Sequence, residues 1–228
     1  TNSLARMAEL SAAAADAGEY LGGVLAATPP DPDRGLVGVV ARAVADAELT
    51  PEEAVSTLVI LLGAGGESTT ALIGNAVRVL AERPDLQADL RARPERIGAF
   101  VEEVLRFESP FTGHYRSVRR DCTLGGTALC AGDTVLLSWA AANRDPAHWV
   151  DPDRCDPDRA DVRDHLGFGR GIHHCVGAPL ARMEAEVALT TLLAATTSIA
   201  LDPERPPVHV ASVFVRRHDR LPVVLTPA

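Results

Sequence analysis

The sequence contains no lysine: all 22 basic residues are arginine, against 31 acidic residues. The net charge of -9 argues against wholesale binding to nucleic acid or to an anionic membrane, because both carry negative charge themselves. No run of 18 apolar residues occurs and no signal-peptide pattern opens the chain, so neither an anchor nor a leader is predicted. We therefore expect a cytoplasmic protein with no nucleic-acid or membrane partner.

Cysteine is scarce and shows no pairing pattern. The four cysteines, at positions 122, 130, 155 and 175, fit no disulfide framework, as expected in a reducing compartment. A chain of 228 residues, 46% of them hydrophobic, can form one sizeable globular core. Because the chain starts at Thr1 without methionine, we expect it to be a piece of a longer protein.

Hydrophobic periodicity predicts a mainly α protein with small β-sheets, an α+β fold forming one domain over 1–228. Helices are predicted at 4–27, 36–47, 51–80, 84–93, 94–107 and 178–196. Short strands are predicted at 115–118, 122–124, 127–129 and 134–137, with a last pair at 208–210 and 221–225. Residues 149–165 have turn chemistry without periodicity, and so long an irregular segment in a compact domain is usually functional.

The predicted helix over 51–80 is unusual in its length and composition. Thr50 is a cap residue, Pro51 occupies the first helical position, and Glu53 completes a capping box. Because the helix is apolar nearly all round, we expect it to cross the middle of the fold. The segment 63–70, Gly-Ala-Gly-Gly-Glu-Ser-Thr-Thr, interrupts it. That segment fits either a close helix–helix crossing or a local distortion where a ligand lies against the backbone.

One cysteine lies in a glycine-bearing loop directly before a helix. From Phe168 to Ala181 the sequence is Phe-Gly-Arg-Gly-Ile-His-His-Cys-Val-Gly-Ala-Pro-Leu-Ala, and Pro179 suits the first helical turn. Free N–H groups and the positive end of the helix dipole favour the thiolate of Cys175 over the thiol. We interpret this thiolate as an iron ligand.

These residues allow other interpretations. His173, His174 and Cys175 could suggest a zinc site, although no second ligand pair lies at zinc spacing. Cys175 as a plain nucleophile would leave the glycines unexplained, since no base and orienting residue accompany it. Glu103 and Arg106, three residues apart on one helical face, form either a surface ion pair or a buried clamp that needs a further partner.

The spacing of Phe168, Gly171, His173, Cys175 and Gly177 resembles the haem-binding signature of the cytochrome P450 family, a specific pattern. Further landmarks follow in the family's order: the oxygen-activation segment 64–68, Glu103 with Arg106, Arg116, and the segments 142–145 and 152–155. The chain is similar to the C-terminal portion of a soluble bacterial member, and its arginine-only composition suits an actinobacterial source. The resemblance implies the P450 fold without its N-terminal part.

The resemblance also implies a role for each matching residue. Cys175 would be the proximal ligand of haem b, in the loop 168–177. The other haem-contacting residues would be Ala64, Arg116, Phe168, Gly169, His173 and Gly177, of which Arg116 and His173 would hold the propionates. Proton delivery on the opposite face would fall to Glu67, Ser68 and Thr69. A buried clamp would consist of Glu103, Arg106 and Arg154, and substrate would contact Gly65, Thr112, Gly113, His114, Val213 and Phe214.

The activity that the resemblance implies is that of a monooxygenase. Such an enzyme inserts one oxygen atom from O2 into an apolar small molecule, by hydroxylation or epoxidation. Its electrons would come from NAD(P)H through a ferredoxin and a ferredoxin reductase. We expect a substrate of secondary metabolism, either free or bound to a carrier protein. The alternative is a non-oxygenating or peroxide-driven haem protein, or a truncated fragment with impaired haem binding.

The chain departs from the family pattern at three points. Members of this type are longer, so part of the substrate roof and further propionate contacts lie outside this chain. Ser68 stands where the family usually has threonine, and its hydroxyl is less restricted at χ1, which favours uncoupling to peroxide. Cys155 replaces the usual aromatic residue after Arg154, and we expect only a change of packing there.

Overall fold

The computed structural model describes residues 4–228, and these form helices joined to small antiparallel sheets, as the periodicity predicts. The helices are α1 (Leu4–Ala27), α2 (Gly35–Ala45), α3 (Pro51–Glu82), α4 (Pro84–Ala92), α5 (Ile97–Phe107), α6 (Trp139–Ala142) and α7 (Ala178–Ala195). The strands are β1 (His114–Ser117), β2 (Cys122–Leu124), β3 (Thr127–Leu129), β4 (Thr134–Leu137), β5 (Thr196–Leu201), β6 (Val208–His209), β7 (His218–Arg220) and β8 (Val223–Pro227).

The described chain divides into two compact units, one ending at Gly66 and the other spanning Glu67–Ala228. In the first unit, aliphatic side chains from α1, α2 and the start of α3 form a small core, which includes Leu25, Val40 and Leu58. The start of α3 has the predicted capping box. The Thr50 amide donates to Glu53 Oε2 at 2.9 Å, and the Glu53 amide donates to Thr50 Oγ1 at 3.2 Å.

Helix α3 is longer and more regular than predicted. It runs without a break from Pro51 to Glu82, so the predicted distortion over 63–70 is wrong: the glycines there are helical. The predicted burial holds only near the ends, because Ile60 and Leu62 in the middle are exposed. Among the described residues, α3 is the one helix long and apolar enough to span a membrane by length and composition, which is weak evidence for a span.

The second unit is built around α5. Its apolar face, with Phe100, Val101 and Val104 fully buried, packs into a core shared with the C-terminal part of α3 and with α7. Gln87 on α4 joins this core to strand β5. Its Nε2 donates to the carbonyls of Leu80 and Ile199, and its Oε1 accepts from the Ile199 amide. All the side-chain polar atoms of this buried residue are therefore satisfied.

Four two-stranded antiparallel sheets flank the helices of the described chain. β2 pairs with β3, as the turn residues Gly125 and Gly126 between them predict. β1 pairs with β4, a pairing that no turn between these strands indicates. The predicted pairing of the last two strands is wrong: β8 pairs with β5, and β6 pairs with β7. β5 starts at Thr196, directly after α7, because the run Thr-Thr-Ser-Ile favours extended backbone over further helix.

Candidate functional site

A fully buried ion pair lies on α5. Arg106 donates through Nε and Nη2 to the two carboxylate oxygens of Glu103, both at 2.7 Å. Neither side chain is exposed, so the interpretation as a surface pair is excluded and this part of the predicted clamp is confirmed. A buried pair of this kind is stable only if its remaining donors and acceptors also find partners.

The third member of the clamp is Arg159, not the predicted Arg154. Arg159 Nε donates to Glu103 Oε1 at 3.1 Å, and its side chain is 9% exposed. The side chain of Arg154 is 68% exposed, and only its backbone carbonyl takes part, by accepting from Arg106 Nη2 at 3.0 Å. The sequence Asp-Pro-Asp-Arg ends at each of these arginines and also occurs at 31–34, so the motif alone did not identify the buried copy.

The clamp fixes the irregular segment that precedes the cysteine loop. Arg106 Nη1 donates to the carbonyls of Asn143 and Pro152, at 2.8 and 2.9 Å. Asn143 is itself buried: its Nδ2 donates to Ser109 Oγ at 2.9 Å, and its Oδ1 accepts from the Leu166 amide at 2.7 Å. The chain entering the loop is thus attached to α5 through hydrogen bonds that water cannot replace.

Cys155 lies in the core of the second unit. Burial, with the negative charge of Glu103, raises the pKa of its thiol to about 12. Such a thiol stays protonated and inert at neutral pH, in agreement with the packing role predicted for it.

The cysteine loop presents its thiol to solvent. The Cys175 amide donates to the Phe168 carbonyl at 3.0 Å, and a short 3₁₀ turn, Gly171–His173, lies between them. Gly169 and Gly171 have φ values of 67° and 77°, which side-chain-bearing residues rarely adopt. α7 then starts at Ala178, with proline in its first turn as predicted. The Cys175 side chain is exposed at the end of this loop.

The surroundings of Cys175 fit a haem group better than a zinc ion. Within residues 4–228, no three His, Cys, Asp or Glu side chains converge as a metal site, whereas haem iron needs a single axial thiolate from the protein. Two neighbours in the loop, Ile172 and Val176, are 97% and 84% exposed. Aliphatic side chains this exposed beside a thiol are suited to cover by a flat apolar group.

Behind the loop lies a network that the sequence analysis missed. Glu102, buried next to Glu103 on α5, accepts from His165 Nε2 at 2.9 Å and from Arg182 Nη2 at 3.1 Å. Arg182 Nε donates to the other carboxylate oxygen, and the guanidinium lies 4.6 Å from the centre of the Phe168 ring. The available signal was the pair of consecutive acids, Glu102 and Glu103, in an otherwise apolar helix. Each needs a cationic partner when it is buried, so two sets of partners could have been expected.

The network determines the protonation of Glu102. Burial alone would raise the pKa of this carboxyl, but hydrogen bonds from His165 and Arg182 and the charge of Arg182 outweigh it and lower the pKa to about 2. The carboxylate is therefore ionised at any physiological pH.

The predicted propionate-binding residues, Arg116 and His173, are both exposed. Arg116 lies on β1 opposite Val135, and its guanidinium donates to the Tyr115 carbonyl at 2.8 Å. No carboxylate of the described chain pairs with Arg116, so its charge is available for an external anion.

The predicted proton-delivery residues, Glu67, Ser68 and Thr69, follow one another on α3 at the start of the second unit, whereas Ala64 and Gly65 belong to the first. Glu67 is half-exposed, and its Oε1 accepts from Arg217 Nε at 2.9 Å. Thr69 is buried. The acid of this segment is therefore held by an arginine from the C-terminal part of the chain, a partner that local sequence did not indicate.

Several predicted substrate-contacting residues lie together. The Thr112 amide donates to the Phe214 carbonyl at 2.9 Å, and its hydroxyl donates to the Val213 carbonyl. His114 Nδ1 accepts from Trp139 Nε1 at 2.8 Å, which leaves the proton on Nε2. At Gly113, a Cβ would lie 2.6 Å from the Leu137 carbonyl oxygen, so the close approach of this segment to β4 requires glycine.

Comparison with known proteins gives one consistent family. The family model "Cytochrome P450" matches residues 96–208. "Cytochrome P450 144" of Mycobacterium tuberculosis is 50% identical over 193 residues, covering 84% of this chain and 44% of that protein. "Mycinamicin IV hydroxylase/epoxidase" of Micromonospora griseorubida is 40% identical over 220 residues, covering 95% and 55%.

Solved structures agree with these relatives. The structure of CYP109E1 from Bacillus megaterium in complex with corticosterone superimposes with a TM-score of 0.90 at 33% identity, covering 97% of this chain and 60% of that one. The chain thus spans about half the length of the curated relatives it matches. Its similarity to them covers both the cysteine loop and the clamp.

Arg159 and Arg154 differ in their expected effect on stability. Arg159→Gln should lower the free energy of unfolding by about 1–3 kcal/mol, because Glu103 then loses a buried charged donor. Arg154→Gln, the matched control, should change it by less than about 0.5 kcal/mol, since its side chain is exposed. Urea unfolding of both variants measures the difference, and a larger loss in Arg154→Gln would contradict the assignment.

The low pKa of Glu102 predicts a loss of stability in acid. The pKa of its carboxyl is about 2 in the folded chain, against 4.5 for a glutamate exposed to solvent, as in the unfolded chain. The unfolded chain therefore takes up the proton first as pH falls. The contribution is complete above about pH 5 and lost by about pH 2, with an upper limit of about 3 kcal/mol. Urea unfolding midpoints measured from pH 7 to pH 3 should fall less steeply below pH 5 in Glu102→Gln; an unchanged slope would contradict this.

Proposed function

This chain belongs to the cytochrome P450 family, and we propose that it is the ligand-bearing portion of a haem-thiolate monooxygenase. The observation that carries the proposal is the exposed Cys175 thiol, presented by a positive-φ glycine loop before α7 and flanked by exposed aliphatic side chains. The proposed reaction inserts one atom of O2 into an apolar small molecule, while the other atom leaves as water.

We infer which residues of this chain would hold haem b. Cys175 would supply the axial thiolate, Arg116 and His173 would bind the propionates, and Ala64, Phe168, Gly169 and Gly177 would lie against the macrocycle. Bound in this way, haem supplies an iron centre whose thiolate ligand favours cleavage of the O–O bond. An exposed guanidinium without a carboxylate partner in the described chain supports the role of Arg116.

Protons would be delivered by Glu67, Ser68 and Thr69. The half-exposed carboxylate of Glu67 lies in reach of solvent, and Arg217 binds one of its two oxygens, Oε1. Ser68 would hold the proton-bearing hydroxyl in place of the family's usual threonine. Because serine is less restricted at χ1 than threonine, its hydroxyl would be held less firmly in the position that delivers the proton. We therefore expect part of the reducing equivalents to be lost as peroxide.

The substrate would be an apolar small molecule of secondary metabolism. It would contact Gly65, Thr112, Gly113, His114, Val213 and Phe214, of which Thr112, Val213 and Phe214 are joined by hydrogen bonds. The relative that is named a hydroxylase/epoxidase supports oxygen insertion as the reaction class. We infer that electrons come from NAD(P)H through a ferredoxin and its reductase in the cytoplasm, and that a carrier protein can present the substrate.

The assignment of Cys175 is tested by the spectrum of the chain reconstituted with haem, reduced and exposed to carbon monoxide. The chain should give a thiolate-type Soret band, and Cys175→Ser should lose it because a hydroxyl does not replace the thiolate. Cys130→Ser, which changes another exposed cysteine, is the matched control and should keep the band. A histidine-type band, or no haem uptake by the unaltered chain, would refute the proposal.

A further inference from the structure

Two consecutive buried acids on α5 serve different parts of the molecule. Glu103 binds Arg106 and Arg159 and so faces the irregular segment. Glu102 binds His165 and Arg182, which lie on either side of the cysteine loop. Adjacent positions on a helix point in directions about 100° apart, which is why the neighbours do not share partners.

His165 is held in one tautomer. The Gly167 amide donates to its Nδ1 at 3.0 Å, so Nδ1 carries no proton and Nε2 is the donor to Glu102. The imidazole is buried and thus joins the carboxylate on α5 to the backbone at the start of the loop. A Cβ at Gly167 would lie 3.0 Å from the Leu105 carbonyl oxygen, so the loop lies tightly against α5 at this point.

Arg182 reaches the loop from its other end. It lies on α7, beyond Cys175, and its guanidinium lies over the ring of Phe168 while both its Nε and Nη2 bind Glu102. The Phe168 carbonyl in turn accepts from the Cys175 amide. The Glu102 carboxylate therefore orients His165, before the loop, and Arg182, after it. Both side chains lie beside Phe168, and the ring centres of Phe168 and His165 are 6.0 Å apart.

We propose that Glu102 is the positioning residue of the cysteine loop, acting through His165 and Arg182 to fix Phe168 and hence the segment that presents Cys175. The role rests on the proposed function only in taking Cys175 as the iron ligand. Arg182 places a positive charge beside Phe168, and Glu102 determines where that charge is held. The clamp around Glu103 does not perform this task, since none of its hydrogen bonds involves residues 167–177.

Hydrogen exchange of the chain without haem tests the positioning directly. In Glu102→Gln one carboxylate oxygen becomes an NH2 group, which cannot accept a hydrogen bond, so the three donors of His165 and Arg182 no longer have two acceptor oxygens. The Gly167 and Cys175 amides should therefore exchange about tenfold faster, as NMR of the labelled chain would show. Arg182→Gln should accelerate the Cys175 amide similarly. Glu184→Gln, which removes an exposed carboxylate from α7, the helix that carries Arg182, is the control and should change the exchange rate of neither amide. Unchanged exchange in Glu102→Gln would overturn the proposal.

A matched pair of variants at His165 separates its two bonds. His165→Asn can keep an acceptor for the Gly167 amide but does not reach Glu102. His165→Gln can reach Glu102 but offers no acceptor at the Nδ1 position. If the imidazole links α5 to the loop, both variants should raise loop exchange. Loop exchange that stays at its original rate in both would also overturn the proposal, even if Glu102→Gln fails to fold.

The reduction potential of the haem-loaded chain distinguishes two ways in which Glu102 could act: by positioning Arg182, or by its own negative charge. Loss of the cation beside Phe168 in Arg182→Gln should lower the potential, because a nearby positive charge stabilises the reduced iron. If Glu102 positions Arg182, Glu102→Gln should shift the potential in the same direction, and the double variant should add little. A shift in the opposite direction would mean that Glu102 acts only through its own charge. Absence of haem uptake would count against the proposed function, while the exchange data would still decide this inference.

Discussion

The ion pair between Glu103 and Arg106 is the interaction on which the second unit depends. Both side chains are fully buried, so neither charge has water as an alternative partner. Arg106 satisfies its remaining donors with the carbonyls of Asn143, Pro152 and Arg154, three points of a segment that has no regular secondary structure of its own. Because Asn143 then binds the Leu166 amide, the chain just before the cysteine loop is attached to α5 through two buried residues.

The absence of lysine has a physical counterpart in this architecture. The buried acids Glu102, Glu103 and Glu108 all bind guanidinium groups, which offer several donors in one plane and stay charged when desolvated. In Arg106→Lys all three donors would sit on one nitrogen. That nitrogen could not bind both oxygens of Glu103 and also reach the carbonyls on the far side of the guanidinium. The network around α5 thus depends on arginine geometry as well as on positive charge.

Much of the fold could be predicted from local chemistry. The capping box at Thr50, the glycine turns between β2 and β3 and the proline at the start of α7 each determine backbone conformation within a few residues, and each prediction is confirmed. The pairing of β5 with β8 could not be predicted in this way. The hydrogen bonds between these strands join residues more than twenty positions apart, and no local pattern identifies the partner.

The site shows the same division between local and long-range information. The cysteine loop has a dense motif, so Cys175 and its neighbours could be predicted from the sequence. Arg159 and Arg154 follow identical tripeptides, and what separates them is burial, which depends on where Glu103 lies. His165 and Arg182 form a pair only because Glu102 lies between them, and the partners of Glu102 lie 63 and 80 residues away.

The close approach at Gly113 limits how the segment beside β4 can vary. Any side chain there would collide with the Leu137 carbonyl, a backbone atom that the paired strands β1 and β4 hold in place. Combinatorial libraries that randomise this segment would therefore strain the backbone of β4 in every member altered at 113. Diversity is confined to the flanking positions, Thr112 and His114. A change at Thr112 keeps the backbone hydrogen bond to Phe214 but gives up the bond from its hydroxyl to the Val213 carbonyl.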